Sequence, residues 1–184
     1  MTQAQVATLV QSVAVSGSIQ AVRSVSIKAR VPGEVTQVTV REGMPVKAGQ
    51  LLIQLDAREL QSRRDQAAQQ AAAAKAQLDI AQRTLDNNQA LVNQGFISRN
   101  ALDTALSNVA AAKATWMAMR SAVELADKAL ADTRLITPLS GQVAKQHVQV
   151  GERVNVDARL LDVVDLSKLE LQASLRAEDV AALK

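Results

Sequence analysis

The side chains that could do chemistry are few. His147 is the one histidine in 184 residues, and there is no cysteine. A lone imidazole without thiolates or clustered carboxylates lacks the ligand set that holds a metal. His147 therefore reads as a surface or packed residue of a strand. The missing Cys also removes a disulfide framework and a thiolate site. Asp157, Asp162 and Asp165 read as turn residues. No Ser/His/Asp grouping or carboxylate pair can be placed together. Trp116 and Met119 fall on a helical seam, where packing is the expected role rather than contact with a drug. The expectation is no catalytic, cofactor-binding or metal residues, and no enzyme.

Charge narrows the partners. The net charge is +3, with basic and acidic residues interspersed, as in Arg58-Glu59 and Arg63-Arg64-Asp65. That is the pattern of a solvated helix face. Nucleic-acid binding would want a basic stripe with stacking rings. Phe96 and Trp116, the chain's two aromatics, cannot supply one, nor can they centre a large aromatic core. No apolar run approaches the length that spans a bilayer. Met1-Thr-Gln-Ala-Gln5 lacks the regions of a signal peptide. If the protein is exported, its signal or anchor is expected to lie outside this sequence.

The stretch 57–133 organises the rest. It has no Pro, and its one Gly is Gly95. Small or apolar residues recur in steps of three and four: Ala67, Ala71, Ala74, Leu78, Ala81, Leu85, Asn88, Val92. The rhythm resumes at Leu102, Ala105, Val109, Ala112, Trp116, Met119, Val123, Ala126, Leu130. This is a coiled-coil seam. Between the two runs, Gly95 can take the left-handed conformation that ends a helix, and Ser98 can cap the next. The reading is an antiparallel helical hairpin roughly 50–55 Å long, at about 1.5 Å rise per residue. Ala has the best helix propensity, but each buried methylene contributes only about 0.8 kcal/mol. The arm is therefore slim and weakly zipped, and suited to further burial against neighbours.

On either side the period changes to two. Residues 6–28 read as two or three short strands broken at Gly17, and Leu51–Asp56 as a strand entering the first helix. Leu169–Leu175 reads as a strand with nothing to pack against, and 177–184 as the start of a short helix. Between them lies a repeat. At a shift of 108 positions, Gly33, Val35, Val40, Gly43, Val46 and Leu52 fall on Gly141, Val143, Val148, Gly151, Val154 and Leu160. Ile53 and Leu55 meet Leu161 and Val163. Glycine at equivalent positions suggests the same special backbone angles in both copies. Gly33, Gly43, Gly49, Gly141 and Gly151 are the predicted turn residues. Two related β halves flanking a hairpin imply one sandwich made from both.

Several of these segments carry a family resemblance. They are Val31-Pro-Gly-Glu-Val35, Glu42-Gly43 and Val46-x-x-Gly49, with Leu55-Asp56 opening the hairpin. Thr137-Pro-Leu-Ser-Gly141, Val150-Gly-Glu152 and Leu169-Glu-Leu-Gln-Ala follow it. In this order the chain resembles the HlyD-like membrane fusion proteins, the periplasmic adaptor subunits of RND-type and related tripartite efflux pumps. The resemblance implies an elongated α+β fold. A lipoyl-like sandwich would comprise 25–56 and 134–165. The inserted hairpin would be 57–133, and part of a β-barrel would lie in 1–24 and 166–184. It further implies a bridge between an inner-membrane transporter, RND-type first, and an outer-membrane channel of the TolC type. The adaptor would be a trimer or hexamer, periplasmic, and anchored to the inner membrane in the full-length protein. It would take no part in nucleic-acid binding. The family's tip signature is Arg, Leu four residues on, then Ser seven further. Leu91 and Ser98 match it, Gly95 lies between them, and Asn87 stands where the family has Arg. These four are the expected channel contacts. Two other readings are an adaptor of an ABC-type exporter or type I secretion system, and a lipoyl or biotinyl carrier. A carrier holds its cofactor on a Lys at the turn between the halves, and Leu55-Asp-Ala-Arg-Glu59 has none.

Overall fold

A computed structural model describes residues 16–173. The elements in order are β1 (Gly17–Lys28), β2 (Gly33–Val38), β3 (Pro45–Val46), β4 (Leu51–Leu55), α1 (Arg58–Asn93), α2 (Arg99–Ala131), β5 (Arg134–Ile136), β6 (Gly141–Gln146), β7 (Arg153–Val154) and β8 (Arg159–Ala173). The strands make two four-stranded sheets, β1-β8-β6-β3 and β5-β4-β2-β7.

The 108-position shift carries one sheet onto the other. β2 falls on β6, β3 on β7 and β4 on the start of β8. The halves are interleaved, because each short strand pairs with a strand of the other half: β3 with β6, and β7 with β2. Backbone bonds repeat in the same way. Gly43 N–H donates to Val143 O and Val143 N–H to Met44 O, at 2.8 and 3.0 Å; Gly151 N–H donates to Val35 O and Val35 N–H to Glu152 O, at 2.8 and 2.9 Å. The core obeys the same relation. Val35 and Val143, Leu52 and Leu160, Ile53 and Leu161, Leu55 and Val163 are all essentially inaccessible to solvent. Fully burying such a side chain contributes about 1.5–3 kcal/mol, so the interleaved layers hold the sandwich.

Three expectations need correction. The N-terminal region forms one strand among the described residues: β1 begins at Gly17 instead of breaking there, while residues 6–15 lie outside the described part. Residues 166–173 do have a partner. They continue β8 and pair with β1, Gly17 opposite Ala173 and Ala21 opposite Leu169. The expected helix at 177–184 lies outside the described residues. The register slips between Ala21 and Arg23, and there Asp165 accepts the Ser167 amide at 2.9 Å. Beyond that irregularity the two-stranded ribbon is exposed, with Ile19, Leu169 and Leu171 facing solvent.

The third correction concerns glycine. Gly43 and Gly151 share positive φ, at 81° and 87°. Gly33 and Gly141 do not, and their reason is closeness of approach. A Cβ on Gly141 would fall 2.8 Å from the Val164 carbonyl carbon and closer still to its oxygen; on Gly33 it would meet Leu55 Cβ at an ordinary 3.5 Å. Gly49, at φ 82°, corresponds to Asp157 at φ 64°, and Asp is among the few side chains that visit this region. The repeat thus keeps the turn while changing the residue. This asymmetry gives a test by thermal or denaturant unfolding. Gly141→Ala should destabilise by about 1–3 kcal/mol through overpacking. Gly33→Ala should be neutral or stabilising by up to about 1 kcal/mol, because glycine in a strand is entropically unfavourable.

Candidate functional site

Among the described residues, the polar groups of the sandwich form one cluster of note, at Asp162. Three residue types of hydrolytic chemistry meet there, in the wrong order. Ser26 Oγ donates to Asp162 Oδ1 at 2.5 Å, and His147 Nε2 lies 2.7 Å from Asp162 Oδ2. The carboxylate sits between hydroxyl and imidazole, so the histidine is not placed to take the serine proton. Bonding to His147, then to Ser26, holds the Asp162 carboxyl below the usual carboxylate range. Asp162 was expected in a turn and instead lies within β8. His147 follows the end of β6, its amide donating to Leu160 O. Among the described residues no three His, Cys, Asp or Glu gather as metal ligands.

The hairpin is the other candidate, and its seam has the predicted register. From Ala67 to Val92 on α1 and from Leu102 to Leu130 on α2, every predicted seam residue is at least partly buried. Leu78 on α1 and Ala105 on α2 are the most buried of them. The base is tied to the sandwich at Asp56. Its Oδ1 accepts the Arg58 amide at 3.0 Å, and its two oxygens bind the Arg58 guanidinium at 2.6–3.1 Å. Arg58 holds the Asp56 carboxyl at about 2. Thr133 closes the other strand of the base: fully buried, it donates to Leu130 O and accepts from Gln54 Nε2. Arg64 reaches from α1 to Asp127 of α2 at 2.9 Å. Halfway along, Trp116 has Lys75 of α1 at 5.3 Å and Arg120 of its own helix at 6.0 Å from the ring centre. Both are within cation–π range. Sequence periodicity places Trp116 on the seam; it gives no sign that a cation from the other helix covers the ring.

At the far end the chain reverses through a Schellman motif. Gly95 has φ 79°. Its amide donates to Val92 O at 2.9 Å, and the Phe96 amide donates to Leu91 O at 3.0 Å. Ser98 then caps α2: its backbone is extended and its Oγ accepts the Ala101 amide. Leu91, Gly95 and Ser98 are therefore gathered at one tip, with Asn87 one turn back on α1. Val92 is half-buried on the seam and Leu91 faces outward at 38% exposure. Phe96 was missed by sequence reasoning. At 73% it is the most exposed of the large apolar side chains described. The available signal was its position immediately after the glycine of the motif.

The hairpin and sandwich have known counterparts. Residues 23–166 match the family described as RND MFP, barrel-sandwich hybrid domain. The chain is 36% identical over 138 residues to the multidrug resistance protein MdtA of Yersinia pestis (strain Pestoides F), covering 75% of this chain and 31% of that protein. It is 34% identical over 139 residues to MdtA of Klebsiella pneumoniae, covering 76% and 34%. It thus spans about one third of the length of these curated relatives. Among solved structures it is similar to a MacA–MexA chimera carrying the Pseudomonas aeruginosa MexA α-hairpin domain, with a TM-score of 0.65 and 27% identity over 91% of this chain and 55% of that one.

The tip geometry rests on one cap that can be tested alone. Ser98→Ala should cost about 1 kcal/mol of local stability. Amide exchange at Ala101 and its neighbours should speed up, with the sandwich amides unchanged. Ser98→Asp, which can accept the same amide, should restore protection. Equal exchange in all three proteins would show that the serine does not hold the start of α2.

Proposed function

The chain belongs to the membrane fusion proteins of RND systems, matching their barrel-sandwich hybrid domain over most of its length, and we propose that it is the periplasmic adaptor of a tripartite efflux pump. In this reading it bridges an inner-membrane transporter of the RND type to an outer-membrane channel of the TolC type, and serves export of drugs or other small molecules. The full-length protein is held at the inner membrane and assembles as a trimer or hexamer. The adaptor itself performs no chemistry.

The observation that carries the reading is the hairpin. Helices of 36 and 33 residues reach roughly 50 Å at about 1.5 Å per residue. They stand on a sandwich whose glycines and core serve folding, and they end in a tip held by a Schellman motif and a serine cap. A rigid arm with an ordered end is suited to reach and contact. Its alanine-rich seam leaves the arm thin, so burial against neighbouring arms would add stability that the seam alone lacks. An ABC-type or type I adaptor would use the same parts; the family match supports the RND reading.

The tip residues supply the test, in the full-length protein and a strain lacking its own adaptor. Leu91→Asp places a charge at an exposed apolar position, and Ser98→Arg removes the cap and adds bulk. Each should abolish export, seen as drug susceptibility equal to that of the adaptor-less strain. Each should also lose the co-purified channel while keeping the transporter, with protein level and helix content unchanged. Asn87→Arg should widen the range of channels recovered. Normal susceptibility and normal channel recovery for both Leu91→Asp and Ser98→Arg would rule the tip out as the contact.

A further inference from the structure

We propose that the open side of the sandwich, between β1 and β5 at the foot of the hairpin, takes up an extended acidic segment of a partner protein as an added strand. The inference goes beyond the adaptor reading and does not depend on it.

Each sheet ends in an unpaired strand on this side, β1 in one and β5 in the other. A cavity of about 420 Å³ lies between them. Its walls are runs of consecutive residues: 25–30 from β1 and the turn after it, and 134–136 from β5. Alternate residues of a strand share a face, so a wall of consecutive residues is a strand met at its edge.

The hydrogen bonds show which backbone groups that edge presents. Ala29 donates to Ala158 O and accepts from Asp157, at 3.0 and 2.8 Å, so its groups face β8. The register slip after Ile27 leaves the extra residue on β8, and β1 itself stays regular. Backbone direction alternates along an antiparallel strand, which turns the amides and carbonyls of Ser26 and Lys28 toward the cavity. On β5, Thr133 O accepts from Leu55, and Thr137 donates to Gln50 O and accepts from Gly49. Those bonds face β4, so alternation turns Arg134 and Ile136 outward. Ladder groups with no strand beside them are a template for a further strand. Facing sheets pack about 10 Å apart and paired strands about 4.8 Å, so one strand spans the opening between two such edges.

Charge and polarity define the occupant. Lys28, Arg30 and Arg134 line the cavity against Asp132 and Asp157, three cations against two acids. Arg30 is held by Asp132 at 3.2 Å. Among the described residues, Lys28 and Arg134 have no acidic partner, and both are exposed. The floor is apolar, with Val25, Ile27, Leu135 and Pro138. A strand that alternates apolar and acidic residues satisfies both. One of its faces covers the floor, and the other brings carboxylates to Lys28 and Arg134. A basic segment would meet like charge at both.

The test titrates the protein with an end-blocked peptide alternating valine and glutamate, followed by amide chemical shifts and exchange. Binding should saturate with a Kd at or below about 1 mM. The bound peptide should slow exchange at Ser26, Lys28, Arg134 and Ile136, and leave Ile27 and Leu135, whose amides already face inward, unchanged. Ile136→Pro removes one outward amide without a bond to β4, as edge positions allow, and should weaken binding about threefold to tenfold. The double variant Lys28→Glu, Arg134→Glu keeps the backbone edge intact; it should weaken binding by at least about threefold and reverse the preference toward a valine–lysine peptide. An unfolding midpoint equal to the parent's shows that each variant is folded. No saturable binding in that range, or protection away from β1 and β5, would overturn the inference. So would equal affinity for the backbone N-methylated peptide, since a small anion or a side-chain contact needs no edge amides. Equal affinity of the double variant for both peptides would overturn the acidic assignment. None of these outcomes bears on the adaptor reading.

Discussion

Every other feature depends on an exchange of backbone hydrogen bonds between the two halves of the sandwich. Val35 and Val143 sit at the centre of it. Each donates its amide to one turn of the opposite half and accepts an amide from the same turn. Neither half contains a complete sheet, since β3 and β7 find partners only across the repeat. Unpaired backbone groups in the interior would be costly, so the halves are stable as a pair. The hairpin leaves after β4 and returns at β5, and these strands are themselves paired. The base of the arm is thereby held at both ends by one small core. A long insertion is tolerated because loop-closure entropy grows slowly with length.

The same symmetry explains where the chain departs from a plain sandwich. At the end of β4 the first half gives way to the hairpin. At the equivalent point of β8 the second half continues as a strand and pairs with β1. One fold unit thus emits two extensions from equivalent positions, one helical and one extended. The register slip opposite Asp165 marks where sandwich packing ends and the exposed ribbon begins.

Along the arm, stability is distributed unevenly. The base has the Asp56–Arg58 and Arg64–Asp127 pairs. These are solvent-accessible, and water and salt screen such pairs so that each contributes little. The middle has Leu78 buried and Trp116 with a lysine and an arginine near its ring, and Ala105 is buried closer to the tip. Alanine layers fill the rest, supported by helix propensity more than by burial. The tip has no ion pair among the described residues and is ordered instead by backbone bonds and one serine. Order is therefore placed where contact is proposed, and the shaft between is kept thin.

Much of this was legible in the residues alone, for a physical reason: periodicity is local. The three-four spacing from Ala67 to Val92 determined which face of α1 is buried, and Val92 in register left Leu91 outside. Gly95 determined the reversal and Ser98 the cap, since both act within a few residues. The 108-position repeat determined that the halves are alike. What tertiary structure decided are contacts between residues far apart in the chain. Ser26 and Asp162 are separated by 136 positions, and nothing in either neighbourhood indicates that they meet. Pairing of β1 with the end of β8, the approach of Val164 that requires Gly141, and Lys75 lying over Trp116 are of the same kind. Phe96 stands between the two classes. Its sequence shows a ring after a glycine; that the ring faces solvent followed only once the two helix ends and the bonds between them were in place.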